Sequence, residues 1–463
     1  MDYVQPYIGM LESCLNLEPG FIDLENISFL EDADYVYLLG NCFCSKDIDG
    51  IKKFSTSRLW FTYRKNFPAI GGTGPSSDQG WGCMLRCGQM LLAQSLTTLH
   101  LGRTWNWERG CKDQVYRRLL RMFQDKRTSL YSIHQIGQMG VAEGKPLGEW
   151  FGPNTIAQVL KKLVVYDDFS KLAVHVALDN ILISSDVRVM ATTKPPMSTL
   201  TSVGEENAAT SESNDPVWRP LLIIIPLRLG LTVINNCYLP AIQEFFKLPQ
   251  CAGIIGGRPN HAVYFFGNVG NKLIYLDPHV CQESINLEQE DPATSIEIVE
   301  DQQVACDIIS DSDESPTTST NKKNDDSADD SLVHTRSQSS EESYALSSTS
   351  SASGSKSVDD EFDDSSFHCP YLLHMDFTTL DPSLALAFIC ICEEDYNDLV
   401  VRLKPVLSSS NPPLFEILEE RPKGWPKFVP YVVDGNALND TLKEFDDFGD
   451  PTFDSDDNFE ILE

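Results

Sequence analysis

Thirteen cysteines and eight histidines are scattered along the 463-residue chain, and one of each stands out by its setting. In SDQGWGCMLRCGQM, Cys83 follows a Gly-Trp-Gly turn and falls in the first turn of the helix predicted for the apolar run after it. The unpaired N–H groups and positive dipole end of a helix start favour a thiolate there. The glycines flanking Trp81 would let a substrate backbone approach closely. The same spacing also suits a small residue that merely begins a helix. Cys87, one turn on, reads as core, with a regulatory i, i+4 disulfide as the other reading. A nucleophilic thiolate needs a base that also protonates the leaving amine, most often His. In LIYLDPH, Asp277 and His279 stand at i and i+2 on a segment read as extended, so both side chains project to one side. A carboxylate there accepts the imidazole Nδ1–H and fixes the tautomer; a surface Asp-Pro-His turn is the alternative. His334 lies in an acidic block, His100, His134 and His175 in or beside helical stretches, and His261, His368 and His374 are weaker candidates.

Other chemistries lack their signatures. GGTGPSS (71–77) has no Lys-Ser/Thr and is no phosphate loop, and no G-x-S-x-G occurs. The C-x-C pairs Cys42/Cys44 and Cys390/Cys392 lack the two-residue gap of zinc sites and read as small apolar residues in strands. No metal and no cofactor are expected.

The elements that must position these residues follow from local pattern. An aromatic-rich element at 54–66 and a Gly/Pro/Ser loop at 68–82 precede the helix that starts at Cys83, and further helices are predicted over 114–123 and 155–163. Beyond a Ser/Thr-rich break at 192–215, short apolar runs at 221–226, 262–269, 272–277 and 383–392 read as strands, the middle two joined as a hairpin by Gly270-Asn271. A helix over 394–403 follows. Helices first and strands afterwards predict an α+β fold.

The net charge of −32 is concentrated. Residues 282–366 hold 22 acidic and 4 basic residues, and 434–463 hold 11 and 1. The rest is near neutral, so the expected organisation is a flexible arm (1–34), a catalytic domain (35–281 with 367–433), a disordered acidic Ser-rich insertion (282–366) and an acidic tail (434–463). Such a surface repels a polyanion, which excludes nucleic-acid binding through a basic patch. No apolar run is long enough to span a membrane, and the N-terminus lacks a basic-then-apolar leader. Scattered, odd-numbered cysteines read as reduced thiols of a cytoplasmic protein.

These residues carry a resemblance. The stretch SRLWFTYRKNFPAIGGTGPSSDQGWGCMLRCGQM (57–90) resembles the catalytic-cysteine region of the autophagins, autophagy-related cysteine endopeptidases that process ubiquitin-like modifiers. YSIHQIGQMGVAEGKPLGEWFGPNTIAQVLKKL (131–163), WRPLLIIIPLRLGL (218–231), GIIGGRPNHAVYFFG (253–267), LIYLDPH (273–279) and 366–399 extend it over most of the chain outside 1–34, 192–214 and 282–365. It implies a papain-like fold, in which a nucleophile helix packs on an antiparallel sheet and a small subdomain grips the modifier. Early Cys and later His, in that order, match such a fold. By the same resemblance Cys83 is nucleophile, His279 general base and acid, and Asp277 its orienting partner. Tyr63 is the oxyanion residue, Trp150 shields the cleft, and Gly256, Gly257, Arg258, Pro259 and Asn260 form the loop that substrate lifts. Arg228 contacts the modifier. NFEILE at the C-terminus, with Phe459 and Leu462, would add a strand to the modifier's edge, and FIDL, with Phe21 and Leu24, repeats the pattern in the arm.

The implied reaction is cleavage after the modifier's C-terminal glycine, in the precursor and in the phosphatidylethanolamine conjugate. A monomer is expected, meeting membranes only through the lipidated substrate. A non-catalytic modifier-binding scaffold, or a thiol oxidoreductase using Cys83 and Cys87, are the rival readings.

Overall fold

The computed structural model describes residues 24–193, 217–287 and 362–431. A 3-10 turn (Leu24–Asp32) leads into hairpin β1 (Tyr35–Leu38) and β2 (Asn41–Cys44), helix α1 (Ile48–Thr56) and strand β3 (Tyr63–Lys65). Helices α2 (Cys83–His100), α3 (Gln114–Arg121), α4 (Ile133–Ala142) and α5 (Pro153–Leu163) follow, then β4 (Ala173–Val176), β5 (Ile181–Ile183) and α6 (Ser184–Thr192). After β6 (Leu221–Arg228) and α7 (Leu239–Phe245) come β7 (Cys251–Gly256), β8 (Val263–Val269), β9 (Lys272–Leu276) and β10 (Cys281–Glu283). The last elements are β11 (Leu373–Asp376), β12 (Ser383–Cys390), α8 (Glu393–Ser408) and β13 (Glu416–Leu418).

A nine-stranded sheet runs β11-β9-β8-β7-β12-β6-β4, with β1 pairing β8 beyond the end of β7 and β2 pairing β1. Every pairing in it is antiparallel except β4–β6. Its central strands are buried at consecutive positions, which is why they read as unbroken apolar runs. The hairpin β8–β9 turns at Gly270, whose φ of 51° lies in the left-handed region, and Asn271.

Helix α2 is buried from Cys83 to Thr98, because it lies between the sheet and α5. It packs on β7, β8 and β12, and α5 crosses it at Gly88, where a Cβ would meet Ile156 Cγ1 at 2.4 Å. Proline at the first turn of α5 supplies the fixed φ that starts it.

Several expectations change. The 54–66 stretch is not one element: Phe54 lies in α1, and an extended segment with Leu59, Trp60 and Phe61 buried runs on to β3. The order is not helices first, since three strands precede α2, and His175 sits in β4. The arm is packed at its end, where Phe29 and Leu30 are buried. Both ends of the 282–366 stretch belong to the body: β10 reaches Glu283 and pairs parallel with β3, Leu287 is buried, and so is Asp364. Cys42, Cys44 and Cys392 are exposed, while Cys390 is buried. All described residues fall in one unit. Among them no helix is long and apolar enough to cross a membrane.

Candidate active site

Cys83 opens α2, and the turn before it folds around a carboxylate. The N–H groups of Trp81 and Gly82 donate to Asp78 O at 3.2 and 2.8 Å, and Gly80 takes a φ of 86°, open to glycine at little steric cost. A Cβ on Gly82 would lie 2.2 Å from Asp78 Oδ2. The glycine at 82 therefore makes room for Asp78; substrate approach, the sequence-based explanation, is not its first demand.

Asp277, Pro278 and His279 follow β9 as a turn, not as extended chain. One oxygen, Asp277 Oδ1, accepts both the His279 backbone N–H (2.9 Å) and Nδ1–H (2.5 Å). This fixes Nδ1 as the donor and leaves Nε2 to face the site. Two aromatic residues hold the turn from the other side: Trp60 Nε1 donates to Asp277 O (2.7 Å) and Tyr63 N–H to Pro278 O (2.8 Å). The Tyr63 ring meets the imidazole edge-on at 5.4 Å.

These elements converge on a thiol that is completely buried. Burial alone would raise the Cys83 pKa. The hydrogen bond from His279, the Ala262 N–H, the imidazolium charge and the Tyr63 hydroxyl outweigh it, and the thiol lies below its ordinary value. For His279 burial works against the charged ring, but Asp277 and Cys83 push it up to about 10. Both shifts favour the thiolate and the imidazolium. Burial, then the neighbouring sulfur, hold the Tyr63 hydroxyl protonated and able to donate. Cys87 is buried, and burial followed by the Cys83 charge pushes its thiol well above the usual range, which suits a core residue.

The loop after β7 reaches the His279 imidazole. At Gly257, φ is 140° and a Cβ would strike His261 O at 2.3 Å, so the chain there requires glycine. Arg258, Pro259 and Asn260 are exposed; Asn260 has a φ of 63° and turns its carbonyl to His279 Nε2 at 3.0 Å. Gly256 ends β7 against Leu384 of β12. Arg228, exposed at the end of β6, lies opposite Ser383, whose carbonyl accepts the Gly257 N–H.

Other elements place Trp150. It is half-buried just before α5, with its indole N–H buried and unpartnered. Phe21, Phe459 and Leu462 lie outside the described residues. Of the weaker histidines, His368 is buried between Thr56 O and the Tyr116 hydroxyl, His374 packs on Phe29, and His261 stands 6.0 Å from His279, ring to ring. The sequence reading missed Trp60, Asp78 and the Ala262 N–H. Trp60 and Asp78 sat in quoted stretches, but a backbone donor leaves no signal in side-chain type. No cluster of three His, Cys, Asp or Glu able to hold a metal occurs among the described residues.

Residues 48–402 match the peptidase C54 catalytic domain. The chain is 38% identical over 455 residues to cysteine protease ATG4A of Xenopus laevis, covering 96% of both chains. To cysteine protease ATG4A of Gallus gallus it is 40% identical over 418 residues (88% of this chain, 91% of that one), and to that of Homo sapiens 37% over 424 residues (88% and 87%). A match of that extent carries the papain-like fold with it, and the chain belongs to the peptidase C54 family of cysteine peptidases, the autophagins.

Proposed function

We propose that this peptidase cleaves after the C-terminal glycine of a ubiquitin-like autophagy modifier, in the precursor and in its phosphatidylethanolamine conjugate, with Cys83 as nucleophile, His279 as acid and base, and Asp277 as its orienting partner. The observation that carries the reading is the shared Asp277 oxygen, which locks His279 as the proton donor facing a buried Cys83. The thiolate attacks the glycine carbonyl, and the tetrahedral oxyanion is met by the Tyr63 O–H and the free N–H groups of the first turn of α2. His279 passes its Nε2 proton to the leaving amine. Water then cleaves the thioester, with its proton returning to the imidazole.

Access is the other half of the reading. In the closed loop, Asn260 O competes with the sulfur for the Nε2 proton, so substrate must lift Gly256–Asn260 before reaction. A channel walled by Trp150 and that loop suits glycine, which has no side chain to clash. Arg228 borders the same loop through Ser383 and Gly257 and would contact the modifier; the tail residues Phe459 and Leu462 would add a strand to it. The enzyme would act in the cytoplasm as a monomer, meeting membranes through the lipidated substrate.

Cys83→Ser and His279→Ala should each lower cleavage of a modifier–reporter fusion by at least about a thousandfold with an unchanged melting temperature. Full turnover in the serine variant would refute the nucleophile. Cleavage blocked by a thiol alkylator separates the peptidase from a non-catalytic scaffold.

A further inference from the structure

Beneath the Gly-Trp-Gly turn lies a buried cluster of Arg64, Arg86, Asp78 and Asp125 that the proposed reaction does not use. Asp78 takes the Arg86 fork, Nε on Oδ2 at 2.8 Å and Nη2 on Oδ1 at 3.0 Å. Arg86 Nη1 continues to Asp125 at 2.7 Å and Gln89 at 3.1 Å. Arg64 reaches Glu283 O and Ser366. Two carboxylates balance two guanidiniums, so the cluster adds no net charge beside the thiolate. Buried ion pairs are often no more stabilising than apolar side chains of the same volume, which leaves the geometry to be explained.

Asp78 is tied to Arg64 in both directions: its Oδ1 accepts the Arg64 N–H at 2.7 Å, and its own N–H donates to Arg64 O at 3.2 Å. Arg64 directly follows Tyr63. Through Arg86, the same carboxylate is fastened to the first turn of α2, three residues beyond Cys83. One side chain thus joins the Tyr63 strand to the Cys83 helix. We propose that Asp78 is a positioning residue that sets the Tyr63 hydroxyl against Cys83, where the oxyanion of the reaction forms. The proposal rests on the reading of Tyr63 as oxyanion donor. A displacement of about 1 Å at such a group costs on the order of a hundredfold in rate.

The test is a double-variant cycle on a modifier–reporter fusion. Asp78→Asn keeps an acceptor for the Arg64 N–H but turns a donor toward Arg86. It should lower kcat by about 30- to 100-fold, with KM within about twofold and iodoacetamide alkylation of Cys83 within about threefold. Tyr63→Phe should lose about 100-fold in kcat, and the double variant no more than Tyr63→Phe alone, because the hydroxyl being positioned is gone. Losses that multiply at a native melting temperature would overturn the proposal alone, as would an unchanged kcat in Asp78→Asn. Tyr63→Phe at the parent kcat would overturn the oxyanion reading and this proposal together. Should Asp78→Asn not fold, Arg86→Lys takes its place in the cycle: it keeps the charge and removes the fork, and the same losses support or overturn the proposal.

Discussion

Replacing Asp277 by Asn tests the electrostatics most directly, because the shape is kept and the charge removed. In the parent, His279 rises from 6.5 to about 10, which at 1.36 kcal/mol per pH unit corresponds to about 5 kcal/mol favouring the imidazolium. The Asp277 hydrogen bond heads the favourable contributions and Cys83 follows. Giving Asp277 about half leaves a loss of about 2.5 kcal/mol in the variant, or 50- to 100-fold in the ion-pair equilibrium. The signs run in opposite directions at the two groups. The His279 pKa falls from about 10 toward 6.5, so the alkaline limb of kcat/KM moves down; the Cys83 pKa rises, so the acid limb moves up. Iodoacetamide alkylation and fusion cleavage, each followed from pH 5 to 11, read both limbs. The parent should hold a plateau ending near pH 10, and Asp277→Asn a narrower, lower one. An alkaline limb that stays near 10 in the variant, with kcat undiminished, would refute the reasoning.

Two more predictions concern packing and the tail. Gly88→Ala places a Cβ 2.4 Å from Ile156 Cγ1; overpacking of this kind costs about 1–3 kcal/mol, and an unchanged urea midpoint would show that α5 yields freely. Deleting residues 458–463 should weaken capture of the modifier in a binding titration about tenfold while leaving the kcat of a short peptide substrate alone; unaltered affinity would reduce NFEILE to a chance pattern.

The sheet strands read at 221–226, 262–269 and 272–277 were legible because burial on both faces leaves largely apolar runs, and the Gly270-Asn271 turn announced its hairpin. Strands β1 and β4 were not, because four-residue strands carry too few residues for a period to show, whereas the Cys42/Cys44 pair was rightly placed in a strand, β2. The aromatic-rich stretch 54–66 was read wrongly as one element: Trp60 and Tyr63 brace the Asp277–His279 turn, a partner 217 residues away for Trp60. At the site, side-chain chemistry pointed to Cys83 and to the Asp277/His279 pair, while the turn that joins that pair did not show in the i, i+2 spacing. Gly82 shows the same limit. Its presence was plain, but its cause, the Asp78 carboxylate under it, depends on Arg64 and Arg86 arriving from elsewhere.

The described residues that flank 288–361 share a common post. Arg121 donates through Nε to Leu287 O, and its guanidinium and that of Arg117 lie over the Phe362 ring. Leu287 and Phe362 are thereby held by one arginine of α3. Between anchors so placed, doubling the length of a flexible connection adds only about 0.6 kcal/mol of closure entropy. Swapping the intervening residues for a short flexible linker should leave both anchors on Arg121, and the melting temperature of that variant reports whether they hold.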